Sequence, residues 1–244
     1  MVAVVGVAWA YLLRISGGSG GEAMGMADAM AMPQARGGNF GDFGLTFVMW
    51  AAMMVAMMVP SAAPMILFYA SAGKNRGPSN YIPTMAFVSG YIVVWGAFAA
   101  VAALAHTGFQ SVSLLSPELK FASGIAGGVI LIGAGAYQWT NLKAVCVTSC
   151  RSPLSFLMTE WRSGTFGGLV MGLKHGRYCL GCCWVLMALL FVGGVMNLVW
   201  IGGIAAFVLV EKLLPGSRGM WFSRASGVVL AGWGGVTLVR AVFA

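Results

Sequence analysis

Three of the chain's five cysteines, Cys179, Cys182 and Cys183, and one of its two histidines, His175, fall inside the stretch GLKHGRYCLGCCWVLM, residues 172–187. Thiolate and imidazole are the side chains that bind soft or borderline metals such as copper(I) and zinc. Successive helical residues turn by about 100°, so on a helix His175, Cys179 and Cys183 follow one another at i, i+4 spacing. Cys182 lies beside them, and all four fall within an arc of roughly 100°. A second pair, Cys146 and Cys150, repeats the i, i+4 spacing in AVCVTSCRSP. The competing reading of the main stretch is packing. Gly168 and Gly172 lie on nearly the same face as Cys179 and Cys183, with Gly176 alongside, and small residues so spaced let two membrane helices approach closely. Packing accounts for the glycines better than for three cysteines and a histidine in nine residues.

Methionine supplies a second set of soft donors. In MWAAMMVAMMVPSAAPM, Met49, Met53 and Met57 form an i, i+4, i+8 ladder, with Met54 and Met58 as another beside it. Thioether sulfur suits copper(I), which makes Met53 and Met57 candidate ligands. Methionine also fills irregular gaps between helices, and the two ladders together cover about half the helix circumference, wider than a ligand stripe needs. Packing and metal handling stand as even alternatives here. The Gly- and Ser-rich stretch 16–43 carries Met24, Met26, Met30 and Met32, and is a candidate for metal capture outside the membrane.

The elements that must position these donors are helices in a bilayer. The chain has 244 residues, 59% hydrophobic and only 8% charged, against about 25% charged in a soluble domain. Its apolar runs are long, without two-residue alternation, so the expected fold is an all-α, polytopic transmembrane helix bundle. About seven spans are expected, near 2–15, 44–71, 82–106, 121–140, 164–192, 194–213 and 224–243. The first lacks the positive n-region of a signal peptide and reads as a span. No linker or repeat divides the chain, so residues 1–244 read as a single integral membrane domain.

The net charge of +8 sits mainly between apolar runs. Lys74 and Arg76, then Lys143, Arg151 and Arg162, then Lys212, Arg218 and Arg224 fall on one side if the N-terminus is cytoplasmic and the C-terminus extracytoplasmic. The charge thus sets orientation, with lipid headgroups as partners and no nucleic acid, because no basic patch with interleaved aromatics appears. The fifth segment is long for one span and carries Lys174, His175 and Arg177, which are costly at mid-bilayer. A break near Gly176 is the expected solution, with a single tilted helix from Gly164 as the alternative. Pro60 and Pro64 should kink the second span and free backbone carbonyls. His106 reads as an interfacial residue, Asn197 as an interhelical hydrogen-bonding group, and Glu211 as a snorkelling charge.

With MWAAMMVAMMVPS, YQWTNLKAVCVTSCRSPLSF, GLKHGRYCLGCCWVLM and VGGVMNLVW leading into VEK, the chain resembles a bacterial family of predicted metal-binding integral membrane proteins whose shared region is called a domain of unknown function. The resemblance runs from about Leu45 to Pro215, with the motifs in the same order. It implies a multi-helix inner-membrane protein with a metal site at the cysteines, and no particular reaction.

Three functions follow as alternatives. The first is copper handling, by transport or by delivery to a copper enzyme, with zinc as the alternative metal; its ligands would be Cys179, Cys182, Cys183, His175, Cys146, Cys150, Met53 and Met57. The second is an accessory or structural subunit of a larger membrane complex, with Met, Gly and Cys used for helix packing. The third is a thiol oxidoreductase pairing Cys146 with Cys150 and Cys179 with Cys182; a cytoplasmic setting provides no oxidant for it. No paired carboxylates, Ser-His-Asp set or phosphate-binding glycine loop appears, so a self-contained catalytic centre is not expected.

Overall fold

Backbone N–H and C=O groups have no water to bond in a bilayer, so apolar runs of this length close their hydrogen bonds internally as helices. The computed structural model describes residues 2–17, 40–72, 81–112, 123–214 and 216–243, and among them every regular element is a helix. In chain order these are α1 (Val2–Gly17), α2 (Phe40–Ala72), α3 (Tyr81–Ser111), α4 (Gly124–Tyr137), α5 (Asn141–Arg151), α6 (Pro153–Glu160), α7 (Gly164–Ala188), α8 (Leu190–Gly193), α9 (Leu198–Leu213) and α10 (Gly216–Phe243). The methionine-rich stretch lies almost entirely outside the described residues, as do Lys74 and Arg76.

A helix falls at each of the seven expected positions, but four, rather than about seven, are long and apolar enough to cross a membrane: Phe43–Ala72, Tyr81–Ser111, Gly164–Gly193 and Gly216–Phe243. The reason is length. The 14 residues of α4 and the 16 of α9 reach about 21 and 24 Å, short of a hydrocarbon core of about 30 Å.

The expected break near Gly176 is absent. α7 runs unbroken from Gly164 to Ala188, and the interruption comes at Leu189, whose carbonyl accepts the backbone N–H of Val192 and Gly193 and also the Trp200 indole N–H at 2.7 Å. Gly176 serves packing instead: a Cβ there would meet Val94 at 2.9 Å. Gly172 is tighter, since its Cβ would lie 2.0 Å from the Phe87 carbonyl oxygen, and on the facing helix a Cβ at Gly90 would lie 2.4 Å from that of Leu169. The N-terminal half of α7 therefore lies backbone to backbone on α3. α4 and α10 meet in the same way, at Gly135 against Gly227 and Gly128 against Gly234.

α2 runs through both prolines. Pro60 has no N–H to give to Ala56, four residues back, and the indole of Trp9 on α1 donates to that orphaned carbonyl at 3.2 Å. A helix from elsewhere in the chain thus supplies the partner that the proline removed.

Asn197 is exposed and caps α9, its side chain accepting from Trp200 N at 3.1 Å; it does not bond between helices. His106 is fully buried, with Nδ1 accepting from Trp50 Nε1 at 3.4 Å.

Candidate metal centre

The polar core of the bundle gathers around one sulfur, that of Cys179. Cys179, Cys182 and Cys183 are at most 1% exposed. They sit in the C-terminal half of α7, beyond the glycines that press α7 onto α3, so the two readings of the motif divide along the helix: glycines pack, cysteines face a polar cluster.

Four elements converge there. From α9, Lys212 Nζ donates to Cys179 Sγ at 2.9 Å and to Ser61 Oγ, also at 2.9 Å. From α3, Tyr91 Oη lies 3.1 Å from Cys179 Sγ and donates to the Met58 carbonyl at 2.9 Å. From α2, Met58 Sδ lies 3.8 Å from Cys183 Sγ, and Ser61 Oγ donates to the Met58 carbonyl at 2.8 Å. From α5, the Cys150 thiol comes near enough to Cys179 and Cys182 to interact with both. α5 is not among the candidate spans, and the Cys150 thiol is pushed well above its ordinary pKa, first by its interaction with Cys179, then by that with Cys182 and by burial. Cys146 packs beside the cluster at Gly181, and burial raises its thiol as well.

An ammonium 2.9 Å from a buried sulfur is a charge-assisted contact that a small packing residue would not draw. The thiols of Cys182 and Cys183 donate to the Cys179 carbonyl at 3.0 and 2.9 Å, and all five cysteines are free. Among the described residues no group of three or more His, Cys, Asp or Glu side chains is arranged to hold a metal ion. The sulfurs are neighbours whose hydrogens are committed elsewhere, and joint coordination requires Cys182 and Cys183 to turn from the backbone carbonyl toward a common point.

Other sequence-selected residues are placed differently. His175 is buried but boxed by aromatics: it stacks on Phe87 and Tyr91 at 6.0 and 5.7 Å, meets Phe156 edge-on at 5.6 Å, and its Nδ1 has no hydrogen-bond partner among the described residues. Met53 and Met57 are core residues at 0 and 2% exposure. The methionine sulfur set against a thiol is that of Met58, from the parallel ladder. Lys212 and Tyr91 are not candidate site residues from sequence, and Ser61 reads there only as a partner for a carbonyl freed by the prolines. Lys212 was counted among boundary cations, and nothing in the spacing of Tyr91 marks it.

Beside this cluster lies a second polar knot. Lys143, 1% exposed, pairs with Glu211 at 2.8 Å. Ser223 donates to the same carboxylate, and Arg151 Nη2 donates to the Glu211 carbonyl at 2.6 Å. Glu211 is therefore a buried junction of α5, α9 and α10 and not a snorkelling charge.

Comparison with known families adds one finding. A family model named PpoB2, described as copper chaperone, matches residues 47–237. The chain belongs to this copper chaperone family. The match covers more than three quarters of the chain, and every residue of the polar cluster lies within it. It is a copper-related family, as the sequence resemblance implied for metal, while the resemblance's own family name is a narrower statement than the match carries. No curated protein and no solved structure matches the chain.

Proposed function

We propose that the protein binds copper(I) in the membrane at the sulfur cluster and hands it to a copper enzyme. Membership of the PpoB2 copper chaperone family supports copper as the cargo, and the meeting of Cys179, Cys182, Cys183 and Cys150 with the Met58 thioether supports the place. Copper(I) favours thiolate and thioether over hard oxygen donors, and this set offers both; zinc, which favours a closed tetrahedral site, has less to recommend it. Cys179 is the primary ligand in this reading, with Cys182 or Cys183 and Met58 completing a low-coordinate site. Lys212 offsets the negative charge of the bound thiolates. Met53 and Met57 extend the thioether path along α2, Cys146 stands in reserve beside Gly181, and His175 orients α7 from within its aromatic box. A chaperone must also release its cargo, which a low-coordinate site permits by ligand exchange.

The chain is a single integral membrane domain in this reading, in the bacterial inner membrane. Lys143 and Arg151 meet Glu211 near the C-terminal end of α9, where Lys212 also lies, and this cationic end of α9 is assigned to the cytoplasmic face.

Titration of the detergent-purified protein with copper(I) against a chromogenic chelator tests the reading. One tightly held copper per chain is expected, with Cys179→Ser weakening it by about a hundredfold or more and Met58→Leu by about tenfold. Wild-type protein that takes up no copper(I), or a Cys179→Ser protein that binds as well as wild type, sinks it and leaves the cluster a packing device.

A further inference from the structure

The surface of α10 carries a feature that the copper site does not use. Between α9 and α10 an apolar groove of about 550 Å³ opens outward, lined by Gly203, Phe207, Trp221, Ala225 and Trp233 among others. It extends along α10 from Trp221 to Trp233, about 18 Å at the helical rise, close to the depth of one bilayer leaflet. At the Trp221 end it continues across Ala225 to Trp139 and Arg224. Arg224 and Trp139 also line a small polar cavity of about 50 Å³ that reaches Gln138, Lys143 and Arg151.

Two observations say what chemistry fits. First, cations collect at one end of the groove only. Arg224, Arg151 and Lys143 line the small cavity, and the Glu211 carboxylate beside it is taken by Lys143 and Ser223, while Arg151 donates to the Glu211 backbone carbonyl. Second, Gln138 lines the small cavity at 5% exposure, with neither its Nε2 nor its Oε1 bonded among the described residues. A buried amide with both ends unpaired costs several kcal/mol, so a ligand there should bring both an acceptor and a donor. A phosphodiester accepts from Nε2 and from Arg224; a hydroxyl of the headgroup donates to Oε1. The apolar groove then takes an acyl chain.

We propose that an anionic phospholipid with a hydroxylated headgroup, of the phosphatidylglycerol kind, binds here, phosphate at Gln138 and Arg224 and one acyl chain along α10 toward Trp233. Its place on α10 is separate from Cys179, and it rests on the membrane reading of the chain, independently of copper.

Native mass spectrometry of the full chain in mixed micelles of phosphatidylglycerol or phosphatidylcholine tests it. Wild-type protein should retain about one phosphatidylglycerol and prefer it over phosphatidylcholine by roughly fivefold or more. Arg224→Ala and Gln138→Leu should remove that preference while the chain still folds, Gln138→Leu because it replaces an unpaired amide with a hydrocarbon. Gly203→Leu should weaken both lipids, since a Cβ at Gly203 meets nothing within 4 Å and the longer side chain projects into the groove. Equal retention of the two lipids by wild type overturns the proposal, as does an unchanged preference in Gln138→Leu, which would mean that water alone fills the small cavity. If Gly203→Leu instead abolishes self-association and leaves lipid binding untouched, the groove is an interface between chains and the proposal falls. Copper uptake measured on the same samples stays at the wild-type level in Arg224→Ala, so failure of the copper reading shows separately.

Discussion

At the scale of single residues, the site is decided by which atoms surround the Cys179 sulfur. Lys212 and Tyr91 approach it from two other helices, and Cys150 adds a thiol from a third. The Lys212 ammonium is the group that can balance negative charge on that sulfur when it serves as a thiolate ligand. Each thiol that joins copper must first lose its proton, so affinity rises with pH. Cys150 has the thiol whose ionisation is held back by its interactions with Cys179 and Cys182, so its share of binding should appear only as pH rises. The expected outcome is a copper(I) affinity that climbs more steeply with pH in wild type than in Cys150→Ser, the two converging toward the acid side. Parallel curves would show that Cys150 stays out of the coordination sphere.

At the scale of elements, glycine placement sets where helices can touch. Gly172 and Gly203 occupy the interiors of two helices and look alike in sequence. A Cβ at Gly172 would lie 2.0 Å from the Phe87 carbonyl oxygen, whereas one at Gly203 meets nothing within 4 Å. Alanine has the higher helix propensity, by about 1 kcal/mol, but a clash with backbone cannot be relieved by a rotamer change and costs about 2 kcal/mol or more. Gly172→Ala should therefore lower thermal stability in detergent, while Gly203→Ala should leave it within about 1 kcal/mol of wild type. Two equal melting points would mean that α7 and α3 are not in backbone contact. Such close contact also explains why α7 needs no break at Gly176: its glycine run is occupied along its length by Pro83, Phe87 and Val94.

At the scale of the whole molecule, Glu211 and Lys212 are adjacent residues that face different partners. Glu211 ties α9 to α5 and α10, and Lys212 ties it to the sulfur cluster on α7 and to α2. The end of α9 is thus a hub, and loosening it should loosen the proposed copper site. Glu211→Ala leaves the Lys143 ammonium buried and unpaired, at a cost of about 3–5 kcal/mol. The double variant Lys143→Met, Glu211→Leu removes both charges and should recover most of that loss. Thermal unfolding of the three proteins checks this; a double variant no more stable than Glu211→Ala would show that the pair is not a closed unit.

The sequence by itself determined that the chain is helical, where each apolar segment lies, and that sulfur donors are concentrated near Cys179. Those features follow from hydropathy, length and i, i+4 spacing, which are local properties. It did not determine how many helices reach across a bilayer, because capping at Ser123, Thr140 and Asn197 shortens α4 and α9 within longer apolar runs. Nor could it tell Met58 from Met53 and Met57, since neighbouring ladders on one helix differ only in rotation, and rotation is set by packing. Only the tertiary structure brought Cys150, Tyr91 and Lys212 to one sulfur. Those residues are far apart in sequence, and their meeting depends on α3, α5 and α9 docking against the same turn of α7, an outcome of helix packing that no local pattern encodes.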